Sequence, residues 1–110
     1  MKKAYWIARS RIIDPVAYGE YARLAGEAGA KLFGEAGAKL FGEARILVRG
    51  GDFRTIEGPV AFERHVLIEF PTFDAALGFH ASPEYRKAAS IRIGAGINEL
   101  VIVEGIDDGK

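Results

Sequence analysis

Ala4-Tyr5-Trp6-Ile7-Ala8-Arg9-Ser10-Arg11-Ile12-Ile13 is the longest strand-like run in the chain, and it carries arginine where a fully buried strand would carry leucine. Strand side chains repeat every two residues, so Ala4, Trp6, Ala8 and Ile12 share one side, and Tyr5, Ile7, Arg9, Arg11 and Ile13 share the other. The first side is apolar; the second mixes aromatic and aliphatic groups with two charges. This is the pattern of a central strand with one face under helices and one wet face.

Asp14-Pro15 follows at once, a capping side chain and then the residue whose missing N–H costs nothing at the first helical position. A helix therefore begins at Pro15, and Val16, Tyr18, Tyr21, Ala22, Leu24, Ala25 and Ala28 form a stripe able to cover the apolar side of the sheet. Gly26 to Phe33 is then repeated letter for letter as Gly34 to Phe41. Eight residues turn a helix by about 800°, leaving the second copy rotated by roughly 80°, so one straight helix cannot bury both Leu-Phe pairs alike. One copy is expected to be helical and the other an excursion, a duplication tolerated at a helix end.

Further along, Arg45 to Arg49 is read as a second strand, Gly50-Gly51-Asp52 as a turn or bulge, and Phe53 to Glu57 as an extended edge. Arg64 to Phe70 is a third strand, with Val66, Ile68 and Phe70 on its core side and His65, Leu67 and Glu69 opposite. A short helix runs to about His80, and Ser82-Pro83-Glu84 restarts another. Gly94 and Gly96 are expected to stop it before a final strand from Glu99 to Glu104. The order strand, helix, strand, strand, broken helix, strand is that of a ferredoxin-like α+β fold, a βαββαβ antiparallel sheet with helices on one face and strands 1 and 3 at its centre.

Composition bounds the function. The chain has 110 residues, enough for a single domain spanning 1–110 with a core of its own. Its 15 basic and 15 acidic residues balance, so no net field draws in nucleic acid or an anionic membrane. The absence of cysteine excludes disulfides, thiol nucleophiles and thiolate metal sites. No apolar run approaches the roughly 20 residues of a membrane span, and a soluble, unprocessed, cytoplasmic protein is expected.

Ala4-Tyr5-Trp6-Ile7-Ala8-Arg9, Leu47-Val48-Arg49-Gly50-Gly51, Ile56-Glu57-Gly58, Val66-Leu67-Ile68-Glu69-Phe70-Pro71, Ser82-Pro83-Glu84-Tyr85 and Val101-Ile102-Val103-Glu104-Gly105 together resemble the DUF1330 family over nearly the whole chain. The resemblance implies the dimeric α/β-barrel group, in which two ferredoxin-like sheets face each other across a two-fold axis. Some relatives in that group are cofactor-free monooxygenases or small-molecule isomerases; DUF1330 itself has no established activity. Two departures stand out. The octad lengthens the segment between helix 1 and strand 2, and Ala81 precedes Ser82-Pro83 where members often carry a polar residue.

Metal and nucleophile signatures are absent, since His65 and Glu69 would lie about 13 Å apart on one strand and no Gly-x-Ser-x-Gly elbow occurs. Gly94-Ala95-Gly96 leads into a strand and makes a poor phosphate cradle. The wet face remains: parity puts Arg9, Arg49, His65 and Glu69 on it, and a second copy covering that face would demand a partner or a ligand for each charge. The expected assembly is thus a homodimer without cofactor or metal. It is expected to be either a cofactor-free enzyme, monooxygenase- or isomerase-like, acting on a small organic acid, or a non-catalytic small-molecule binder or structural dimer held by an ion-pair network, with a pocket between sheet and helices as the expected site. In the enzymatic version Glu69 or His80 accepts a proton and Arg9 holds the anion, with Arg49, His65, Tyr5 and Trp6 as further ligand-binding residues. Arg9 and Glu69 are expected to interact or share one site.

Overall fold

The computed structural model describes residues 2–32, 43–59 and 62–107. Its elements are β1 (Ala4–Ile12), α1 (Pro15–Leu32), β2 (Arg45–Arg49), β3 (Arg64–Phe70), α2 (Phe73–Ala81), α3 (Pro83–Arg92) and β4 (Gly96–Glu104). The strands form one antiparallel sheet in the order β2-β3-β1-β4, so β1 and β3 are central, as the alternation in β1 implies.

Local chemistry sets the helix ends. Asp14 Oδ1 accepts from the backbone N–H groups of Val16 and Ala17, both at 3.1 Å, and Pro15 takes the first helical position. Thr72 caps α2 through Ala75 N–H. Ser82 ends α2 and starts α3: its Oγ donates to the Phe79 carbonyl at 2.7 Å and accepts from Tyr85 N–H at 3.2 Å. Proline at position 83 then fixes the break. Gly94, at φ 85°, turns the chain out of α3 in the left-handed region that glycine tolerates best.

Two expectations about the strands are corrected. β4 begins at Gly96 rather than Glu99, because Gly96 pairs with Ile12 at a backbone approach so close that a Cβ would sit 2.5 Å from the Arg11 carbonyl oxygen. The glycine read as a helix stop serves the sheet. Phe53 to Glu57 is not a strand; Gly50 N–H donates to the His65 carbonyl, and the chain then leaves the ladder. Of the octad, the first copy is helical through Leu32 and the second lies outside the described residues.

The core fills the space between the apolar sheet face and the helices. Trp6 is its hub, edge-on to Tyr85 with ring centres at 4.9 Å and packed against Phe79 at 5.5 Å and Phe70 at 6.2 Å. Full burial of rings such as Phe70 and Phe79 contributes about 1.5–3 kcal/mol each.

A β-bulge decides the placement of β2. Ile46 lies opposite Ile68, but Val48 lies opposite Leu67 and Arg49 opposite Val66, so Leu47 is the extra residue. Residues directly opposite share a face. The bulge therefore reverses parity, sending Val48 to the open face and Arg49 to the helix side. Simple alternation placed Arg49 with Arg9; the structure places it on the other face.

Candidate functional site

Small residues on both walls open a cavity of about 340 Å³ between α1 and the sheet. Ala22, Ala25, Gly26 and Gly29 line it from α1, and Ala8 and Val66 from the sheet. A Cβ built on Gly26 would have nothing within 4 Å. Trp6, Phe79, Tyr21 and Tyr85 close one end.

Polar groups enter in two sets. Tyr18 donates its hydroxyl hydrogen to Ser10 Oγ at 2.9 Å, and both residues are buried. The Tyr21 and Tyr85 hydroxyls meet at 3.0 Å, and Arg92 Nη1 donates to the Tyr85 oxygen at 3.4 Å. Burial pushes the Tyr85 phenol far above the ordinary tyrosine range, Tyr21 adds to the rise, and Arg92 opposes it. The folded chain therefore holds this proton more tightly than the unfolded chain does. The resulting stability is complete below about pH 10, where an unfolded tyrosine titrates, and falls as pH rises beyond it. Urea unfolding between pH 8 and about pH 11 should show this decline, and Tyr85→Phe should flatten it. An equal decline in the variant would contradict the assignment.

Two arginines also line the cavity. Arg64 lies level with Ser10 on the helix side, its guanidinium carbon 5.6 Å from the centre of the Tyr18 ring and its Nε buried without a hydrogen-bond partner. Arg49 joins it through the bulge. Neither has a carboxylate partner among the described residues, whereas Arg23, also on the cavity wall, is held by Glu20 and Glu27.

Of the residues singled out in the sequence, Trp6 and Arg49 line this cavity; Tyr5, Arg9, His65, Glu69 and His80 do not. His80 is exposed at the end of α2, with its ring 5.8 Å from Trp6 and 5.6 Å from Tyr85. Glu69 is on the opposite face of the sheet, so one bound molecule cannot touch both. It accepts from the Tyr5 hydroxyl at 3.2 Å and pairs with Lys3 at 3.4 Å and Arg45 at 3.9 Å.

Arg9 shares that open face but not that cluster. It pairs with Glu99, lies 4.3 Å from the Phe62 ring centre, and is in register with His65, whose ring packs on Phe53 at 5.1 Å. His65 and Glu69 are four residues apart on β3, which puts the Arg9 and Glu69 clusters about 13 Å apart. The expected Arg9–Glu69 contact is thus replaced by two separate pairings. Arg9→Ala and Glu69→Ala should give additive stability changes, within about 0.3–0.5 kcal/mol, while Arg9→Ala and Glu99→Ala should not. Measurable coupling between Arg9 and Glu69 in urea unfolding would overturn this placement.

Between these two polar rows runs an apolar one, Val48–Leu67–Ile7–Val101, crossing all four strands in register. Val101 is 54% exposed and Val103, in the next row, 46%.

Ser10 and Arg64 carried a signal in the sequence: both fall at core parity on strands, where a polar or charged side chain is out of place. Tyr18 and Tyr21 were legible only as part of the covering stripe of α1.

Helices on one face of an antiparallel sheet in the order β2-β3-β1-β4 define the ferredoxin-like α+β class. The chain belongs to the DUF1330 family, described as a domain of unknown function, whose model matches residues 3–106. Solved structures agree with the class. The RPA0582 protein of unknown function from Rhodopseudomonas palustris is 18% identical, with 96% of this chain and 84% of that one covered at a TM-score of 0.66. A dimeric ferredoxin-like protein of unknown function from Bacteroides fragilis is 13% identical, with 94% and 96% covered at 0.61. SnoaB, a cofactor-independent oxygenase from Streptomyces nogalater, is 13% identical, with 97% and 96% covered at 0.56. No curated protein matches. Among the described residues no helix is long and apolar enough to cross a membrane.

Proposed function

We propose that the protein is a homodimer that binds a small organic acid in the cavity between α1 and the sheet. The observation that carries this is the pair of guanidiniums, Arg49 and Arg64, on the wall of an aromatic cavity without carboxylate partners among the described residues. The Arg64 Nε is a buried donor without a partner, which is costly, and a carboxylate offers arginine two charge-assisted bonds at once; Arg49, exposed on the edge strand, adds a second positive charge to the same wall. The homodimer is supported by the apolar row on the open face and by solved neighbours described as dimeric.

Binding is favoured over acid–base catalysis because no carboxylate or imidazole belongs to the cavity wall among the described residues. A cofactor-free enzyme, oxygenase-like or isomerase-like, is the second reading, supported by the Tyr21–Tyr85 pair: one hydroxyl hydrogen is used between the two rings, and the other, with Arg92 donating to the Tyr85 oxygen, can be given to a developing oxyanion.

Calorimetric titration with 3-phenylpropionate tests the site. Arg64→Met and Arg49→Gln should each weaken binding by about 10- to 100-fold, the loss expected for a charge-assisted bond of about 1.5–3 kcal/mol. Arg49 is exposed on an edge strand, so its variant should fold. Undiminished affinity in both variants would remove the proposal.

A further inference from the structure

Taking the cavity as the ligand site, we infer that its ligand is a single-headed acid with a slim aromatic body, the carboxylate at Arg49 and Arg64 and the ring against Trp6. Sheet register orders the cavity from end to end. Arg64 is level with Ser10, Arg49 and Ala8 are both level with Val66, and Trp6 and Ile46 are both level with Ile68. In the strand direction the two arginines therefore sit two and four residues from Trp6, about 7 Å for Arg49 and about 13 Å for Arg64, with Arg64 one strand and Arg49 two strands across the sheet from it. A carboxylate attached directly to a ring spans the shorter of these distances poorly; a two- or three-carbon spacer spans it well.

The two ends differ in what they ask of a ligand. At the arginine end Tyr18 donates to Ser10, leaving the buried Nε of Arg64 as the unanswered donor, with the exposed Arg49 guanidinium on the same wall. At the far end the Tyr21 and Tyr85 hydroxyls are already paired with each other and with Arg92. The rest of that end is Trp6, Ile68, Ile46 and Phe79, and Arg92, on the Tyr85 oxygen and the Tyr21 ring, does not line the cavity, so a second carboxylate there would be desolvated without a cation on the wall beside it. One charged head and one uncharged tail is the combination that both ends accept.

Width and volume narrow the body. Ala8 on the sheet faces Ala22, Ala25, Gly26 and Gly29 on α1, a slot between two walls of small residues that matches a flat ring. About 340 Å³ is at the small end of the range for ligand cavities, roughly 300–1,000 Å³, and holds a ring with its short side chain, since a cavity of about 150 Å³ already accepts a benzene ring.

Five probes test this by calorimetry on the unmodified protein: 3-phenylpropionate, benzoate, succinate, 3-phenylpropan-1-ol and 3-(4-carboxyphenyl)propionate. The expected result is tightest binding by 3-phenylpropionate, with benzoate about tenfold weaker and the three others at least about 30-fold weaker. If succinate, benzoate or the two-headed acid binds as tightly as 3-phenylpropionate and loses affinity in Arg49→Gln, the ligand class assigned here is wrong while the acid site stands. If the alcohol binds as tightly as the acid, or no acid binds at all, the acid site falls, and the ligand class with it.

Discussion

Replacing Ile7 by glutamate is expected to turn a dimer into a folded monomer. Ile7 is central in the apolar row of the open face, between Leu67 on β3 and Val101 on β4. Its side chain points away from the helices, so the core around Trp6 does not depend on it. A charge there is harmless to a lone chain, whose open face is in water. In a face-to-face dimer it would be desolvated in both copies, at several kcal/mol per unpaired ion, comparable with the whole stability of many dimers. Light scattering should therefore give one chain mass for Ile7→Glu and two for the parent at the same micromolar concentration. Far-ultraviolet circular dichroism should be unchanged. A parent that is already monomeric, or a variant that stays dimeric, would refute the use of this face.

The second large effect is expected at Gly26. A leucine here has open space around its first side-chain atom and lines the cavity wall, so it should occupy the slot that the ligand needs. It also replaces a glycine inside α1, where glycine costs about 1 kcal/mol relative to alanine. Gly26→Leu should thus melt higher, by about 4–8 °C for a gain of 1 kcal/mol in a chain of this size, while losing affinity for 3-phenylpropionate by more than about 30-fold. Stabilisation combined with loss of binding separates a filled cavity from a damaged fold. Retained binding would mean that the ligand lies elsewhere.

The fold was legible because its main signals are local. Alternation in β1, the Asp14-Pro15 and Ser82-Pro83 starts, and the apolar parity of Val66, Ile68 and Phe70 each act within a few residues, and they agree with one another. The site was less legible because it depends on register between strands. A single bulged residue, Leu47, carries Arg49 from one face to the other, and nothing in the alternation of Arg45 to Arg49 discloses it. The pairing of Arg9 with Glu99 instead of Glu69 has the same origin. Sharing a face is a property of parity, but meeting across strands depends on register, and register put Glu99 rather than Glu69 beside Arg9. The start of β4 turned on a backbone approach at Gly96 that only a folded chain has. Ser10 and Arg64, polar residues at core positions that alternation alone passed over, are explained by a space that exists only once α1 has been laid over the sheet.

The open face and the cavity make different demands on a ligand, and the chain carries a reporter on each side. Trp6, the single tryptophan, borders the cavity, and His65 lies on the open face beside Arg9. A nuclear magnetic resonance titration with 3-phenylpropionate that follows the Trp6 indole and the His65 imidazole together decides between the two faces. Binding in the cavity predicts saturable shifts of the Trp6 signals with those of His65 unmoved. Shifts at His65 with Trp6 unmoved would contradict it.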